Sequence, residues 1–208
     1  MPHSDGTAPR KTRIQTQNEE LILAAALEVF SAYGFRGSTV DQIATKCGLS
    51  KPNLLYYFRR KEDIYVALLE HTLTDWLEPL RAMDAEGDPI VELSNYITAK
   101  IRMSRDNPKA SRLFANEILH GAPAIGTFLK GPLKELVDEK AAVISGWMDS
   151  GRLTRIDPHH LIFSIWSTTQ HYADFDVQVN AVLGNPPDLM SKAEEAILTL
   201  FIEGLKPR

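Results

Sequence analysis

Residues 39–63 read TVDQIATKCGLSKPNLLYYFRRKED, and this stretch decides the fold. Between residues 40 and 47 the apolar positions recur at intervals of three and four, which predicts a short amphipathic helix. Thr39 can cap the start of this helix with its hydroxyl oxygen, and Gly48 suits the left-handed residue that commonly follows a helix. Ser50 is in turn a good cap for a second helix, which carries a proline in its first turn. The stretch therefore predicts two short helices joined by a tight turn.

Two short helices in this arrangement are typical of a helix-turn-helix, whose second helix enters the major groove of DNA. Side chains on the exposed side of that helix, and at the basic start of the next one, are then placed to contact phosphates or base edges. These candidate DNA contacts are Thr39, Ser50, Lys51, Asn53, Leu54, Tyr56, Tyr57 and Lys61. For Thr39 a helix cap without DNA contact is an alternative, and for Lys61 the alternative is a solvated basic corner.

The sequence on either side of this unit strengthens the interpretation. Residues 21–33 (LILAAALEVFSAY) precede it, and residues 58–65 (FRRKEDIY) lead from it into a long helical stretch. In this order, residues 18–70 resemble the DNA-binding domain of TetR-type repressors. The resemblance implies an all-α homodimer with a larger helical domain, in which a small-molecule effector changes the affinity for palindromic double-stranded operator DNA.

A second resemblance covers the rest of the chain. Its motifs are RLF at residues 112–114, GAP at 121–123, DEK at 138–140 and ISGW at 144–147, and its longest run extends over residues 156–175. These motifs are similar to those of pyrimidine-utilisation repressors within the TetR family. They imply uracil, thymine or a related compound of pyrimidine catabolism as the effector. A TetR-type regulator that responds to an apolar drug or an acyl compound is the alternative.

Composition agrees with a globular cytoplasmic protein. The 208 residues are 44% apolar and 24% charged, which is ordinary for that class. The single cysteine, Cys47, cannot form an internal disulfide, and neither a secretory signal nor a membrane span is visible. The net charge is −4, but residues 1–65 carry nine Lys or Arg against seven Asp or Glu. A small basic surface on an acidic body suits a protein that needs only a few phosphate contacts.

Helix signals without strand-period alternation or hairpin turns predict an all-α fold of about nine helices. Three parts are predicted: a flexible N-terminal tail (1–16), a helix-turn-helix domain (17–63), and a ligand-binding and dimerisation domain (64–208). In the tail, Arg10, Lys11 and Arg13 are expected either to reach DNA or to remain solvated. The predicted helices span about 18–33, 40–47, 51–58, 61–83, 90–106, 109–119, 124–150, 158–182 and 188–204, the seventh with a candidate interruption at Gly131-Pro132.

The predicted helix 158–182 is unusual because a polar run at residues 167–172 follows its apolar positions. Hydroxyl and β-branched residues are poor helix formers, so packing must stabilise this part of the helix. One interpretation places the polar side chains in a four-helix dimer interface formed by the last two helices of each subunit. The expected seam of that interface is His160, Ser164, Thr168 and His171. The other interpretation lets one stripe line a cavity, where a glutamine amide and an indole match a cyclic imide.

The candidate ligand contacts come from several predicted helices of the larger domain. Trp76 is either an aromatic wall of the pocket or an ordinary core residue, and an inward Lys100 could donate to a ligand carbonyl. The candidate ligand-binding residues are Leu73, Trp76, Leu77, Lys100, Met103, Phe114, Glu117, Trp166, Thr169, Gln170 and Ala173.

No metal, cofactor or catalytic residue is predicted. His120, His159 and His160 do not have the spacing of a metal site, and no nearby cysteine pair or carboxylate cluster completes one. Neither a nucleophile motif nor a phosphate-binding glycine loop is visible. An all-helical enzyme is therefore the least supported alternative.

Overall fold

The computed structural model describes residues 13–207, and the regular structure in that range is entirely helical. This confirms the all-α class. The first four helices are α1 Arg13–Gly37, α2 Val40–Cys47, α3 Lys51–Tyr57 and α4 Lys61–Arg81. They are followed by α5 Pro89–Asp106, α6 Pro108–Leu119, the short α7 Gly126–Phe128 and, after a π-helical turn at Leu129–Leu133, α8 Lys134–Asp149. The last three are α9 Pro158–Asp174, α10 Asp176–Leu183 and α11 Leu189–Leu205.

The chain divides into two compact units, the first ending at Leu68 and the second starting at Leu69. The division lies within α4, so this helix contributes to both units, whereas the sequence places the boundary between residues 63 and 64. Among the described residues, no helix is long and apolar enough to cross a membrane.

The first unit packs α1, α2, α3 and the start of α4 around a small apolar core. Ile22, Phe30, Ile43, Leu54 and Ile64 are each at most 1% exposed. Each helix contributes its apolar stripe to this core, as expected for surface helices of a small unit. Full burial of one such side chain stabilises the fold by about 1.5–3 kcal/mol. Burial of Leu54 in particular holds α3 against the other helices.

The second unit is built around α5, which packs against α9 and α11, while α8 packs against α9. Its core includes Leu80, Leu93, Ile97 and Trp147, each at most 1% exposed. The indole N–H of Trp147 donates to the carbonyl of Ala85 over 2.8 Å, so this buried polar group keeps a partner. The same packing holds α5 and α9 side by side.

Three helices differ from the predicted spans. The predicted helix 158–182 is two helices, because Phe175, with φ −118° and ψ 33°, separates α9 from α10. The predicted helix 124–150 is interrupted by the π-helical turn, which contains the proposed Gly131-Pro132 break. The first helix starts at Arg13, so residues 13–16 of the predicted tail are helical. Arg10 and Lys11, with their expected DNA contacts, lie outside the described residues.

Candidate functional site

Hydrogen-bonded caps hold the two short helices of the first unit in place. The Thr39 hydroxyl accepts from the backbone N–H of Gln42 over 3.2 Å, and the Gln42 side chain accepts from the backbone N–H of Thr39 over 2.8 Å. This reciprocal pair is a capping box. Gly48 ends α2 at φ 72°, and the Ser50 hydroxyl accepts from the backbone N–H of Asn53 to start α3. The turn that orients α3 is therefore specified by local hydrogen bonds and one left-handed glycine.

The predicted DNA contacts divide into exposed and buried side chains. Thr39, Ser50, Lys51 and Asn53 are exposed, Tyr56 is 71% exposed, and Tyr57 and Lys61 are half-buried. Leu54 is 0% exposed. Its side chain packs in the core of the first unit, so it holds α3 in place and does not reach a DNA surface. The contacts predicted for the other residues of the set remain predictions.

Two of these candidate residues have partners that the sequence did not indicate. The Lys51 ammonium pairs with the Asp41 carboxylate over 2.8 Å, which joins the first turns of α2 and α3. The Asn18 side-chain amide donates to the Tyr57 hydroxyl over 2.7 Å, although the two residues are 39 positions apart. Because Tyr57 accepts this bond, its own O–H remains available to donate to another acceptor.

A buried lysine marks the candidate effector site of the second unit. Lys100 on α5 is 5% exposed, and its ammonium lies 4.9 Å from the centre of the Trp76 ring. Trp76 also makes an edge-on contact with Phe114 at 5.8 Å. Burial lowers the Lys100 pKa from 10.5 to about 8, and the charge of Asp174 only partly opposes that change. The structure gives this ammonium no hydrogen bond to another described residue. The ammonium is therefore largely removed from water without a hydrogen bond to another described residue, which is costly and typical of a functional position.

Carboxylate and guanidinium groups at the end of α9 face the same region. The Asp174 carboxylate accepts from the Ser111 hydroxyl over 2.5 Å. Burial raises the Asp174 pKa, while the hydrogen bond from Ser111 and the charges of Arg112, His171 and Lys100 lower it. Arg112 donates to the Ala173 carbonyl and pairs with Asp176 over 2.9 Å. Its charge is thus neutralised locally, which leaves Lys100 and Asp174 as the two opposite charges of the site.

The pairing of α5 with α9 brings Trp166 to Tyr96, and Gln170 lies on the same face of α9 as Trp166. The Trp166 indole N–H donates to the Tyr96 hydroxyl over 2.5 Å. Tyr96 lies one turn before Lys100 on α5, and Gln170 lies one turn after Trp166 and one turn before Asp174 on α9. Side chains one helical turn apart share a face. Burial raises the pKa of Tyr96, so its hydroxyl is protonated and available to position the indole.

The remaining predicted ligand residues have varied positions. Leu73, Leu77, Thr169 and Ala173 are buried, and the Thr169 hydroxyl donates back to the Ile165 carbonyl within its own helix. Met103 is half-buried and lines an open groove of about 500 Å³ that contains no other predicted ligand residue. Glu117 is buried, and its carboxylate accepts from the backbone N–H of Ala124 over 2.6 Å. Glu117 therefore supports the loop after α6.

The residues predicted from the sequence do not include Tyr96 and Asp174 in the second unit, or Asn18 and Asp41 in the first. Asp174 could have been predicted, because it lies one helical turn after Gln170 on the stripe that also contains Trp166. The other three act through contacts between helices, which no local pattern reports. Among the described residues, no group of His, Cys, Asp or Glu side chains could hold a metal ion.

An exposed apolar face lies on the last helices. The predicted dimer seam residues His160, Ser164 and His171 are exposed. Phe163 on α9 is 47% exposed and Phe175, directly after α9, is 53% exposed, and the Phe175 ring stacks on His171 at 5.1 Å. The adjoining α10 and α11 add the exposed apolar residues Val177, Val182, Leu183 and Leu200. We call this set the α9–α11 face.

Comparison with known proteins assigns these two units to one family. The family described as "Bacterial regulatory proteins, tetR family" matches residues 22–68, and "YcdC-like protein, C-terminal region" matches residues 69–208. The HTH-type transcriptional regulator RutR of Escherichia coli K12 is 46% identical over 205 residues, which cover 97% of each chain. The chain belongs to the TetR family. This confirms the predicted resemblance. The protein is a ligand-responsive DNA-binding transcriptional regulator and not an enzyme.

More distant relatives agree with the assignment. The HTH-type transcriptional repressor NicS of Pseudomonas putida is 38% identical over 116 residues, which are 53% of this chain and 55% of NicS. The structure of the fatty acid degradation regulator FadR from Bacillus halodurans has a TM-score of 0.64 at 19% identity, covering 91% of this chain and 96% of that one. At that identity the likeness concerns the fold alone.

Proposed function

We propose that the regulator is a homodimeric cytoplasmic repressor, and that a small neutral heterocycle such as uracil or thymine releases it from its operator. The α3 helix of each subunit reads one half-site of a palindrome in successive major grooves. The effector binds the conformation that does not fit DNA more tightly than the one that does, and so shifts the population away from the operator.

The observation that carries this proposal is the buried ammonium of Lys100 over the Trp76 ring. An effector with a ring carbonyl would accept the hydrogen bond that Lys100 now lacks. The Gln170 amide offers two donors and one acceptor, and the Asp174 carboxylate can accept from a ring N–H. The indoles of Trp76 and Trp166 offer flat faces for stacking. A cyclic imide or amide presents this mixture of acceptors, donors and planar surface.

The charges of the pocket argue against the two other classes of effector. A purely apolar drug would leave the Lys100 ammonium without a hydrogen-bond acceptor, which costs on the order of several kcal/mol by transfer estimates. A carboxylate effector would satisfy Lys100 but meet the negative charge of Asp174, whose influence reaches Lys100. A neutral ring with both donors and acceptors avoids both costs.

The α9–α11 face supports the dimer part of the proposal. Its apolar side chains are exposed in the single chain, and exposed apolar surface commonly marks a protein–protein interface when it forms one large patch. Two copies that bring these faces together form an interface in which the same residues meet across a two-fold axis. Sedimentation equilibrium measures this directly: a monomer at micromolar concentration would contradict it, and Phe163→Glu is expected to dissociate the dimer.

The experiment that tests the effector is a thermal-shift titration with uracil, thymine, a purine and a medium-chain fatty acid. A ligand at 100-fold its Kd adds about 2.7 kcal/mol of stability, which raises the melting midpoint by several degrees. Uracil or thymine should stabilise wild type and the control variant Lys130→Gln, whose lysine is exposed. Gln170→Ala and Lys100→Gln should lose the response.

The same ligands are then added to a complex with a DNA duplex selected by the protein from a random pool. Release of the duplex by the stabilising ligand supports the proposal. Stabilisation by the fatty acid alone would replace the pyrimidine effector by an acyl effector. Failure of every ligand to change either the midpoint or DNA binding would contradict the proposed site.

A further inference from the structure

The corner between α1 and α2 has backbone carbonyls that need donors. The chain leaves helical geometry at Gly34, with φ 67° and ψ 170°, and the carbonyls at a helix end have no partner within the helix. The buried Ser38 hydroxyl donates to the Gly34 carbonyl over 2.6 Å. The ammonium of Lys61 donates to the carbonyl of Phe35 over 2.7 Å and to that of Ser38 over 2.8 Å.

Aromatic contacts hold the same ammonium in place. It lies 4.4 Å from the centre of the Phe35 ring, close enough for a cation–π interaction. The Phe35 ring packs on Tyr65 at 4.8 Å, and Tyr65 packs edge-on against Phe30 at 5.2 Å. Lys61 thus has two charge-assisted hydrogen bonds and a ring beneath it, and only one of its three N–H donors is uncommitted.

We propose that Lys61 is a positioning residue, which fastens the start of α4 to the α1–α2 corner and thereby presents α2 and α3 to DNA. The proposal rests on the DNA-binding function described above. It differs from the prediction made from sequence, in which Lys61 is a phosphate ligand. Of the two carbonyls that it binds, that of Ser38 immediately precedes Thr39, the residue that caps α2. Two of its N–H donors and its contact with the Phe35 ring are committed within the unit, so we expect Lys61 to contribute little to phosphate neutralisation.

The two roles differ in a measurable way, because each phosphate contact adds about 0.9 to the slope of log affinity against log salt concentration. The variants are Lys61→Met, which keeps the stem and removes the charge, and Arg59→Met as control. Arg59 is exposed and lies on the same basic run. Affinity for the selected duplex is measured by fluorescence anisotropy across a salt series, well below the melting midpoint of every variant.

Lys61→Met is expected to lower the melting midpoint by several degrees and to weaken DNA binding at least tenfold at every salt concentration, with the salt slope unchanged. Arg59→Met should leave the midpoint unchanged. An unchanged midpoint for Lys61→Met with a slope reduced by about 0.9 per subunit would identify a phosphate ligand and overturn the proposal.

Because Lys61→Met can fail to fold, a second measurement uses the wild-type protein. The ¹⁵N signal of the Lys61 ammonium is expected to exchange slowly with water and to stay at the same chemical shift when the duplex is added. A signal that exchanges rapidly in the free protein, or that moves on DNA binding, overturns the proposal. If wild type binds no duplex at all, the proposed function fails, while the midpoints and the exchange rate still test the fastening of α4.

Discussion

Replacing Lys100 with methionine is expected to stabilise the effector-free regulator and to remove its response to the effector. The side chain is 5% exposed, and burial lowers its pKa to about 8 even though the charge of Asp174 opposes that change. Folding therefore removes an ammonium group from water without giving it a hydrogen-bond acceptor among the described residues. Methionine has a similar length and no charge, so it keeps the packing and removes the electrostatic cost.

The magnitude follows from the pKa values in the two states. A pKa of about 8 in the folded protein against 10.5 in the unfolded chain corresponds to about 3 kcal/mol, at about 1.4 kcal/mol per pH unit. Because the folded-state pKa of this base is lowered, the cost is fully present below pH 8. The cost declines as the pH rises above about 8, where Lys100 loses its proton in the folded protein. It is absent above 10.5, where Lys100 is neutral in the unfolded chain as well. Asp174 loses a neighbouring cation in the variant, so about 3 kcal/mol is an upper bound on the gain.

Urea unfolding at about pH 7 and about pH 10 measures this gain, with Lys130→Met as the control at an exposed lysine. Lys100→Met should be more stable than wild type at about pH 7, and the difference should shrink at about pH 10. The control should match wild type at both values, and only Lys100→Met should lose the stabilisation by uracil or thymine. A Lys100→Met protein that is less stable than wild type at about pH 7 would refute the reasoning, because the ammonium would then make favourable contacts in the folded state.

Three further predictions concern the first unit. Asn18→Ala and Tyr57→Phe should each weaken DNA binding, and the double variant should be no weaker than Tyr57→Phe alone, since Asn18 acts through the Tyr57 hydroxyl; additive losses in anisotropy titrations would contradict this coupling. Asp41→Asn should strengthen DNA binding at low salt by freeing Lys51 from its 2.8 Å ion pair, and an unchanged affinity would mean that Lys51 does not contact DNA. Thr39→Ala should lower the free energy of unfolding by about 0.5–2 kcal/mol through loss of the capping box, as measured by urea unfolding; a loss of less than about 0.2 kcal/mol would count against that role.

The helix-turn-helix could be predicted because its signals are local. Thr39 and Ser50 accept bonds from backbone N–H groups three residues away, and Gly48 ends α2 one residue past its last helical position. Each of these roles depends on the residue type and on spacing within one turn. The positions of the two short helices along the chain were therefore predictable to within about a residue.

The break between α9 and α10 could not be predicted in the same way. Neither glycine nor proline occurs between Asp174 and Asp176, and Phe175 leaves helical geometry with φ −118°. The cause lies in contacts from other helices. Asp174 accepts from Ser111 on α6, and Arg112 donates to the carbonyl of Ala173, which occupies an acceptor at the end of α9. Contacts across about sixty residues leave no local pattern in the sequence.

The prediction for Leu54 was wrong for a related reason. A seven-residue helix exposes part of its surface and buries the rest, and the rotation that decides between them depends on the helices packed against it. Leu54 is fully buried, whereas its neighbours Asn53 and Tyr56 are exposed. The apolar character of Leu54 favoured the buried side of α3. The hydrophobic pattern therefore predicted its position better than its place in the DNA-reading helix did.

The polar groups of the second unit connect these observations to function. A core selected only for stability would place an apolar residue where Lys100 lies, because a buried ammonium without a hydrogen bond destabilises the fold. The same neighbourhood contains a polar stretch within α9, the helix break after Asp174 and the paired hydroxyl and indole of Tyr96 and Trp166. Local rules are violated here several times within a few turns of two adjacent helices. Such departures concentrate where function constrains the sequence. A ligand that accepts a hydrogen bond from Lys100 would remove the electrostatic cost of burying its ammonium, and the recovered free energy would favour binding.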